Sequence, residues 1–265
     1  MDRKVALITG TSSGMGREIA KTLAQNGYYV FAFSRKKSTF KDKNIKNIIV
    51  DLKDINSIKE AILNIERIDV LVNNAGYGLV STIEDMEEEQ MINQFNINLF
   101  ALLRVTKFAI PKMKKRGGVI INISSFLGKI GLPLFTMYNA SKYAVEGVTD
   151  SLRYELKDFN IRVHSIMPGF FDTEFARSNL VVNSKINDIN SDYKKLINKL
   201  IPQILEQINH GNSVKDVAKL VMYIINNKDA NARYTVGSKA SKFIPIKKVL
   251  SDEDFEDFVS RYYGI

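Results

Sequence analysis

The chain contains no cysteine and only two histidines among its 265 residues. Without thiols there are no disulfides, no thiolate metal sites and no cysteine nucleophile. His164 and His210 stand far apart in sequence, which leaves no histidine-rich site, and no metal is expected. Long apolar runs are missing too. Val5-Ala6-Leu7-Ile8 is broken by Gly10 too soon for a signal peptide, and no run approaches the roughly 20 residues of a membrane span. The expectation is a cytoplasmic protein with no membrane span. Linkers rich in Pro, Gly or Ser and internal repeats are likewise absent. Residues 1–265 therefore read as one domain, and 45% hydrophobic content suffices for a substantial core.

Basic residues exceed acidic ones, with a formal net charge of +9. They fall in scattered groups, such as Lys36, Lys37, Lys41 and Lys43, or Lys112, Lys114, Lys115 and Arg116. No group is interleaved with aromatic residues as a base-stacking surface requires, so nucleic acid is not an expected partner. Most of this charge reads as solvated faces, with the first group placed to serve an anionic cofactor.

The order of elements is regular. Lys4 to Thr9 is a short strand, followed by Gly10-Thr11-Ser12-Ser13-Gly14-Met15-Gly16 and an apolar helical pattern at Ile19, Ala20, Leu23 and Ala24. Strand, glycine turn and helix make a phosphate site, because glycines admit the backbone to a pyrophosphate and the helix N-terminus faces its charge. A second strand, Tyr28 to Phe33, ends at Ser34-Arg35. At this place an acidic residue would accept a ribose 2′-hydroxyl, whereas an arginine accommodates a 2′-phosphate. Arg35 thus favours NADP(H), with NAD(H) the second option and an ordinary surface cation the plainer one.

Further strands are expected at 47–50, 68–72, 118–123, 161–167 and 234–237, alternating with helices at 55–65, 87–115, 138–159 and 213–227. This predicts an α/β fold: a Rossmann-type, doubly wound parallel sheet of about seven strands with helices on both faces. Asn96 and Asn98 interrupt the long helical pattern, which points to a kink or to a use for the Asn98 amide.

Tyr138 and Lys142 lie four apart in Tyr138-Asn139-Ala140-Ser141-Lys142, at the start of a helical pattern. Neighbouring side chains at that spacing put an ammonium beside a phenol, whose unperturbed pKa is ~10, and favour the phenolate. Taken alone, such a pair is more often a surface Tyr and Lys. Ser125 stands thirteen positions before the tyrosine.

Together these motifs resemble the short-chain dehydrogenase/reductase superfamily over about residues 4 to 175. Thr9 to Gly16 matches its cofactor turn and Asn73-Asn74-Ala75-Gly76 its central strand end. Tyr138 to Lys142 matches its catalytic helix and Pro168-Gly169-Phe170-Phe171-Asp172-Thr173 its nicotinamide loop. The resemblance implies a catalytic set of Asn98, Ser125, Tyr138 and Lys142. Tyr138 would exchange a proton with the substrate oxygen, and Lys142 would lower the tyrosine pKa and bind the nicotinamide ribose. Ser125 would stabilise the oxyanion, and Ser124 is the weaker alternative. Asn98 would hold a water behind the lysine. Gly10, Ser12, Ser13, Gly14 and Met15 would lie along the phosphates and ribose, Ser34 and Arg35 at the adenosine ribose, and Asp51 and Leu52 at the adenine. Asn74, Ala75 and Gly76 would border the ribose, and Pro168, Gly169, Phe171 and Thr173 the nicotinamide. A basic residue occupies the glycine turn of some NADP-using members; position 13 here is serine, which leaves Arg35 to carry the preference.

After Thr173 the sequence is apolar and long. A lid over about 174–212 is expected, with the stripe at 192–209 broken at Pro202 into two short helices or one bent one. Phe171, Phe175 or Leu180 would face a substrate, although a stripe of this kind also seals a core. With the apolar loop 126–135 and an extension over about 238–265, the chain looks closest to the 17β-hydroxysteroid/retinol-dehydrogenase-like branch. That implies a hydrophobic carbonyl or alcohol as substrate. The resemblance also implies a homodimer or homotetramer.

Overall fold

Period-two burial sets the strands. In β1 (Val5–Thr9), Ala6 and Ile8 pack to one side and Leu7 to the other, and all three are fully buried. Burial on both faces, at roughly 1.5–3 kcal/mol for each large apolar side chain, is what a central parallel strand requires. The computed structural model describes residues 3–37, 39–171, 180–187 and 192–265.

Six more strands join β1: β2 (Tyr29–Ser34), β3 (Ile45–Ile49), β4 (Val70–Asn73), β6 (Gly118–Ile123), β7 (Ile161–Pro168) and β9 (Arg233–Val236). The order is β3-β2-β1-β4-β6-β7-β9 and every pairing is parallel. Helices α1 (Gly14–Gln25) and α7 (Val214–Asn226) cover one face. Helices α2 (Ile55–Leu63), α4 (Ala101–Met113) and α5 (Thr136–Glu155) cover the other. The fold is the doubly wound Rossmann type expected. The strand order reverses between β1 and β4, and the cleft at such a switch point opens beyond their C-terminal ends.

Two departures from the expected elements bear on the site. The long helix of 87–115 is three pieces: α3 (Glu88–Phe95), a π turn (Asn96–Phe100) and α4. The irregularity predicted at Asn98 is thus real, and π turns of this kind recur at functional sites. By contrast, α6 (Lys194–Asn209) runs through Pro202 as one helix, not two. Pro202 and Asn198, whose carbonyl loses its hydrogen bond, are both exposed, so water can satisfy the freed oxygen.

Three-residue strands β5 (Gly78–Val80) and β8 (Leu180–Val182) pair in parallel as a second, small sheet. Neither is long enough to signal itself in sequence. Asn183 fixes the junction, since its N–H donates to Val80 O (3.0 Å) and its Nδ2 to Asp85 O and Gln90 Oε1 (both 3.0 Å).

Helix α8 (Ser238–Val249) was hidden from periodicity by Pro245, and α9 (Asp252–Tyr263) follows it. The Ser251 hydroxyl accepts from Asp254 N at the start of α9, and Gly264 ends it at φ 68°. Phe255, Val259 and Tyr263 turn inward from α9 against Phe243 and α6, so the aromatic tail is a packing face. No helix among the described residues is long and apolar enough to cross a membrane.

Candidate active site

One cleft of about 560 Å³ lies beyond the C-terminal ends of β1, β4 and β6. The glycine turn after β1 forms its floor. Gly10 and Gly14 take φ +72° and +55°, conformations that side-chain-bearing residues adopt only with strain. A Cβ on Gly10 would lie 2.8 Å from Ala75 Cα, and one on Gly16 only 2.3 Å from Gly10 O, so both glycines serve close backbone approach. Thr9 joins the turn to the β4 end: its Oγ1 accepts from the N–H groups of Asn74 and Ala75 (both 3.0 Å), while Asn74 Nδ2 donates to Thr9 O and Gly10 O. Ser13, the residue before α1, makes no side-chain cap, and the first amides of this twelve-residue helix are oriented for an anion. A pyrophosphate fits this cradle.

Ser12, Ser13, Gly14, Met15, Ser34, Arg35, Leu52, Asn74, Ala75 and Gly76 all line the cleft as the sequence predicts. Ser34 is less free than expected, because its hydroxyl donates to Lys36 O (2.7 Å) and accepts from Asn47 Nδ2 (2.9 Å). Asp51 does not line the cleft. Its carboxylate caps its own turn by accepting from Lys53 N (2.9 Å), and Lys53 takes the place at the wall beside Leu52.

At the middle of the cleft, α5 presents Tyr138 and Lys142, and Ser125 follows the end of β6. Ser125 and Tyr138 share a side-chain hydrogen bond, and Ser125 Oγ also accepts from Leu127 N (3.1 Å). Lys142, 5% exposed, lies with its Nζ 5.8 Å from the Tyr138 ring centre and donates to Ile123 O (3.0 Å). Burial pushes the tyrosine up to about 12, and the Ser125 hydrogen bond pulls the other way. Burial also takes the lysine down to about 8, against the opposing pull of Glu146. The Tyr–Lys spacing predicts a lowered phenol; in the structure burial of Tyr138 is the larger influence and acts upward.

Asn98 stands behind these groups rather than in the cleft. Its Nδ2 donates to Tyr77 O and Ser141 Oγ (both 3.0 Å), and its Oδ1 accepts from Tyr77 N (3.0 Å). This side chain fixes the backbone after Gly76. A Cβ on Gly76 would stand 3.2 Å from Asn98 Oδ1, tighter than an ordinary contact, and 3.7 Å from Lys142 Nζ.

Pro168, Gly169 and Phe171 line the cleft after β7, and Phe171 is buried against Gly237. Thr173 and Phe175 lie outside the described residues, as do positions 174–179 of the expected lid. Ser124 is buried with no partner on its hydroxyl, while Ser125 meets Tyr138, so the choice between the two serines favours Ser125. Apolar side chains, among them Leu79, Phe126, Phe135, Phe170, Leu180 and Ile208, make up much of the remaining wall, with the polar Gln90 and Asn93 beside them. Thr9 was included in the cofactor turn read from the sequence, whereas Tyr77 and Glu146 escaped the sequence reading.

Comparison with known proteins agrees with this geometry. A family model described as short chain dehydrogenase matches residues 4–181. A 3-ketodihydrosphingosine reductase of Bacteroides thetaiotaomicron is 33% identical over 100% of both chains. A short-chain dehydrogenase of Streptomyces avermitilis superposes with a TM-score of 0.84 at 28% identity, covering 98% of both chains. An actinorhodin polyketide ketoreductase, solved with NADPH, does so with a TM-score of 0.77 at 26% identity, over 91% of this chain and 98% of its own. The chain belongs to the short-chain dehydrogenase family of oxidoreductases.

Proposed function

We propose that the protein is an NADP(H)-dependent oxidoreductase that interconverts a hydrophobic alcohol and its ketone or aldehyde. The observation that carries this reading is the convergence of Ser125, Tyr138 and Lys142 midway along one cleft. The glycine turn and Arg35 lie at one end of it and apolar side chains at the other. Arg35 offers a planar, permanently charged donor set to a 2′-phosphate. The 3-ketodihydrosphingosine reductase and the NADPH-bound ketoreductase lend support as relatives.

A nicotinamide cofactor held in this cleft would supply or take up the hydride. In reduction, the Tyr138 hydroxyl gives its proton to the substrate oxygen as negative charge grows there, and in oxidation it takes the proton back. A phenol, whose ordinary pKa is ~10, carries the proton this role requires at neutral pH. Ser125 donates to the same oxygen and holds the phenol in line. The Lys142 ammonium stabilises the phenolate that remains, and Asn98 holds the Tyr77 backbone that shapes the cleft beside the lysine. Leu79, Phe126, Phe135, Phe170, Leu180 and Ile208 exclude water and accept an apolar substrate body.

Ile92, Phe100, Leu103 and Tyr143 are exposed apolar side chains on α3, the π turn, α4 and α5, and a homo-oligomer would cover them. The test of function is cofactor oxidation with NADPH and NADH across lipophilic ketones and aldehydes, beside small polar carbonyls. Preferential NADPH consumption with a lipophilic class supports the reading. Turnover confined to the polar carbonyls contradicts the substrate class, and preference for NADH contradicts the role of Arg35.

A further inference from the structure

Glu146 is a buried carboxylate with no part in the scheme above. It lies on α5 one turn beyond Lys142, is 2% exposed, and shares the buried face of that helix with the lysine. Three elements converge on it. Ser165 Oγ of β7 donates to its Oε1 (2.6 Å), Arg233 Nε of β9 donates to its Oε2 (2.6 Å), and Lys129 Nζ, from the segment after Ser125, lies 3.8 Å from Oε2. On α5 itself the charged neighbours are Lys142 and Asp150, the latter paired with Arg233 Nη2 at 2.5 Å.

A carboxylate buried this deeply is expensive unless it is paired and hydrogen-bonded, and this one is both. Its cations are unequally placed, however. The Arg233 side chain is 26% exposed and that of Lys129 38%, so solvent screens both, while Lys142 is enclosed with Glu146. Lys142 hands its hydrogen bond to a neutral acceptor, Ile123 O, and Glu146 is the buried carboxylate of its own helix.

We propose that Glu146 is a positioning residue that, held by Ser165, Arg233 and Lys129, supplies the negative charge keeping Lys142 an ammonium behind Tyr138. The proposal rests on the roles given to Tyr138 and Lys142 above. Its direction agrees with the raising influence of Glu146 on a lysine that burial otherwise brings down to about 8. The arrangement also ties the catalytic helix to β7, β9 and the segment after Ser125, so one side chain serves both charge and register.

The test measures Lys142 directly in the cofactor-free protein, by following its 13Cε shift against pH, with Lys142→Met to assign the signal. Glu146→Gln removes the charge and nearly keeps the shape. It should move the Lys142 titration, and the alkaline limb of NADPH-dependent ketone reduction, down by roughly half to one pH unit. Ser165→Ala keeps the charge and removes a hydrogen bond; it should lower thermal stability and leave both titrations in place. Should Glu146→Gln fail to fold, Lys129→Gln at the partly exposed cation leaves Glu146 more nearly uncompensated and should move both upward. An unmoved or raised Lys142 titration in Glu146→Gln, or a Ser165→Ala shift as large as that of Glu146→Gln, overturns the proposal. A wild-type protein that reduces no carbonyl refutes the enzyme reading, while the Lys142 titration still reports on Glu146. Tyr138-dependent turnover with an unmoved titration refutes Glu146 alone.

Discussion

Asn98 grips the backbone of Tyr77 from both sides, its Nδ2 donating to the Tyr77 carbonyl and its Oδ1 accepting the Tyr77 N–H, each at 3.0 Å. Replacing Asn98 by Ala leaves Tyr77 N without its partner and takes one hydrogen bond each from Tyr77 O, which keeps Gln94 Nε2 (2.8 Å), and Ser141 Oγ, which keeps Tyr138 O (2.7 Å), in a site where Asn98 is 2% exposed. Two or three lost hydrogen bonds predict a loss of about 2–4 kcal/mol in chemical denaturation. Turnover should fall with it, because the Tyr77 segment that Asn98 holds lines the cleft.

Gly16 tolerates no side chain. A Cβ there would meet Gly10 O at 2.3 Å and Asn74 Nδ2 at 2.4 Å, both within the cofactor cradle. Gly16→Ala should therefore weaken NADPH binding at least tenfold, as read by cofactor fluorescence titration, while Gly27→Ala, with open space around its Cβ but φ +88°, should cost stability only.

The proposed cofactor preference rests on Arg35, which lines the cleft. Arg35→Ala should raise KM for NADPH by about 10- to 100-fold, the worth of a charge-assisted contact of roughly 1.5–3 kcal/mol, and leave KM for NADH nearly unchanged. Equal losses with both cofactors would place Arg35 outside the 2′-phosphate contact.

His164 makes the fold acid-sensitive. It is buried, with Nδ1 2.7 Å from Asn231 O and Nε2 3.3 Å from Arg162 Nη1, so Nδ1 donates and Nε2 accepts. Burial, with the charges of Arg162 and Arg153, holds the imidazole below its ordinary value, against the pull of the Asn231 carbonyl. The unfolded chain then takes up the proton first, near pH ~6.5, and this contribution to stability is lost as pH falls below that value. Thermal melts of wild type should drop more steeply between pH 7.5 and 5.5 than those of His164→Asn, which cannot titrate.

The sequence made the sheet legible because each central strand is a run of apolar residues closed by a polar or glycine-rich tetrad. Leu7 and Ile8 illustrate it, buried on opposite faces and followed at once by the turn at Gly10. Between the two short helices and the one bent helix expected at Pro202, periodicity could not choose, because the penalty of a proline depends on whether the orphaned carbonyl reaches water; the structure has one helix. Strands β5 and β8 are three residues each and exist only through pairing between distant segments. At the site, residue identity located Ser125, Tyr138 and Lys142, but the direction of the tyrosine shift depends on burial, a property of the packed chain. Glu146 was invisible for a related reason: Arg233 and Ser165 lie 87 and 19 positions away.

The most direct test of the central claim is Tyr138→Phe, measured in parallel for NADPH binding and for reduction of a lipophilic ketone that wild type accepts. Phe keeps the ring and removes the proton. The account predicts cofactor affinity within a factor of about two to three of wild type and turnover lowered by roughly 10²-fold or more, the scale of a lost general acid. Turnover near the wild-type rate, with cofactor bound, would contradict the role of Tyr138 and with it the proposed chemistry of the cleft.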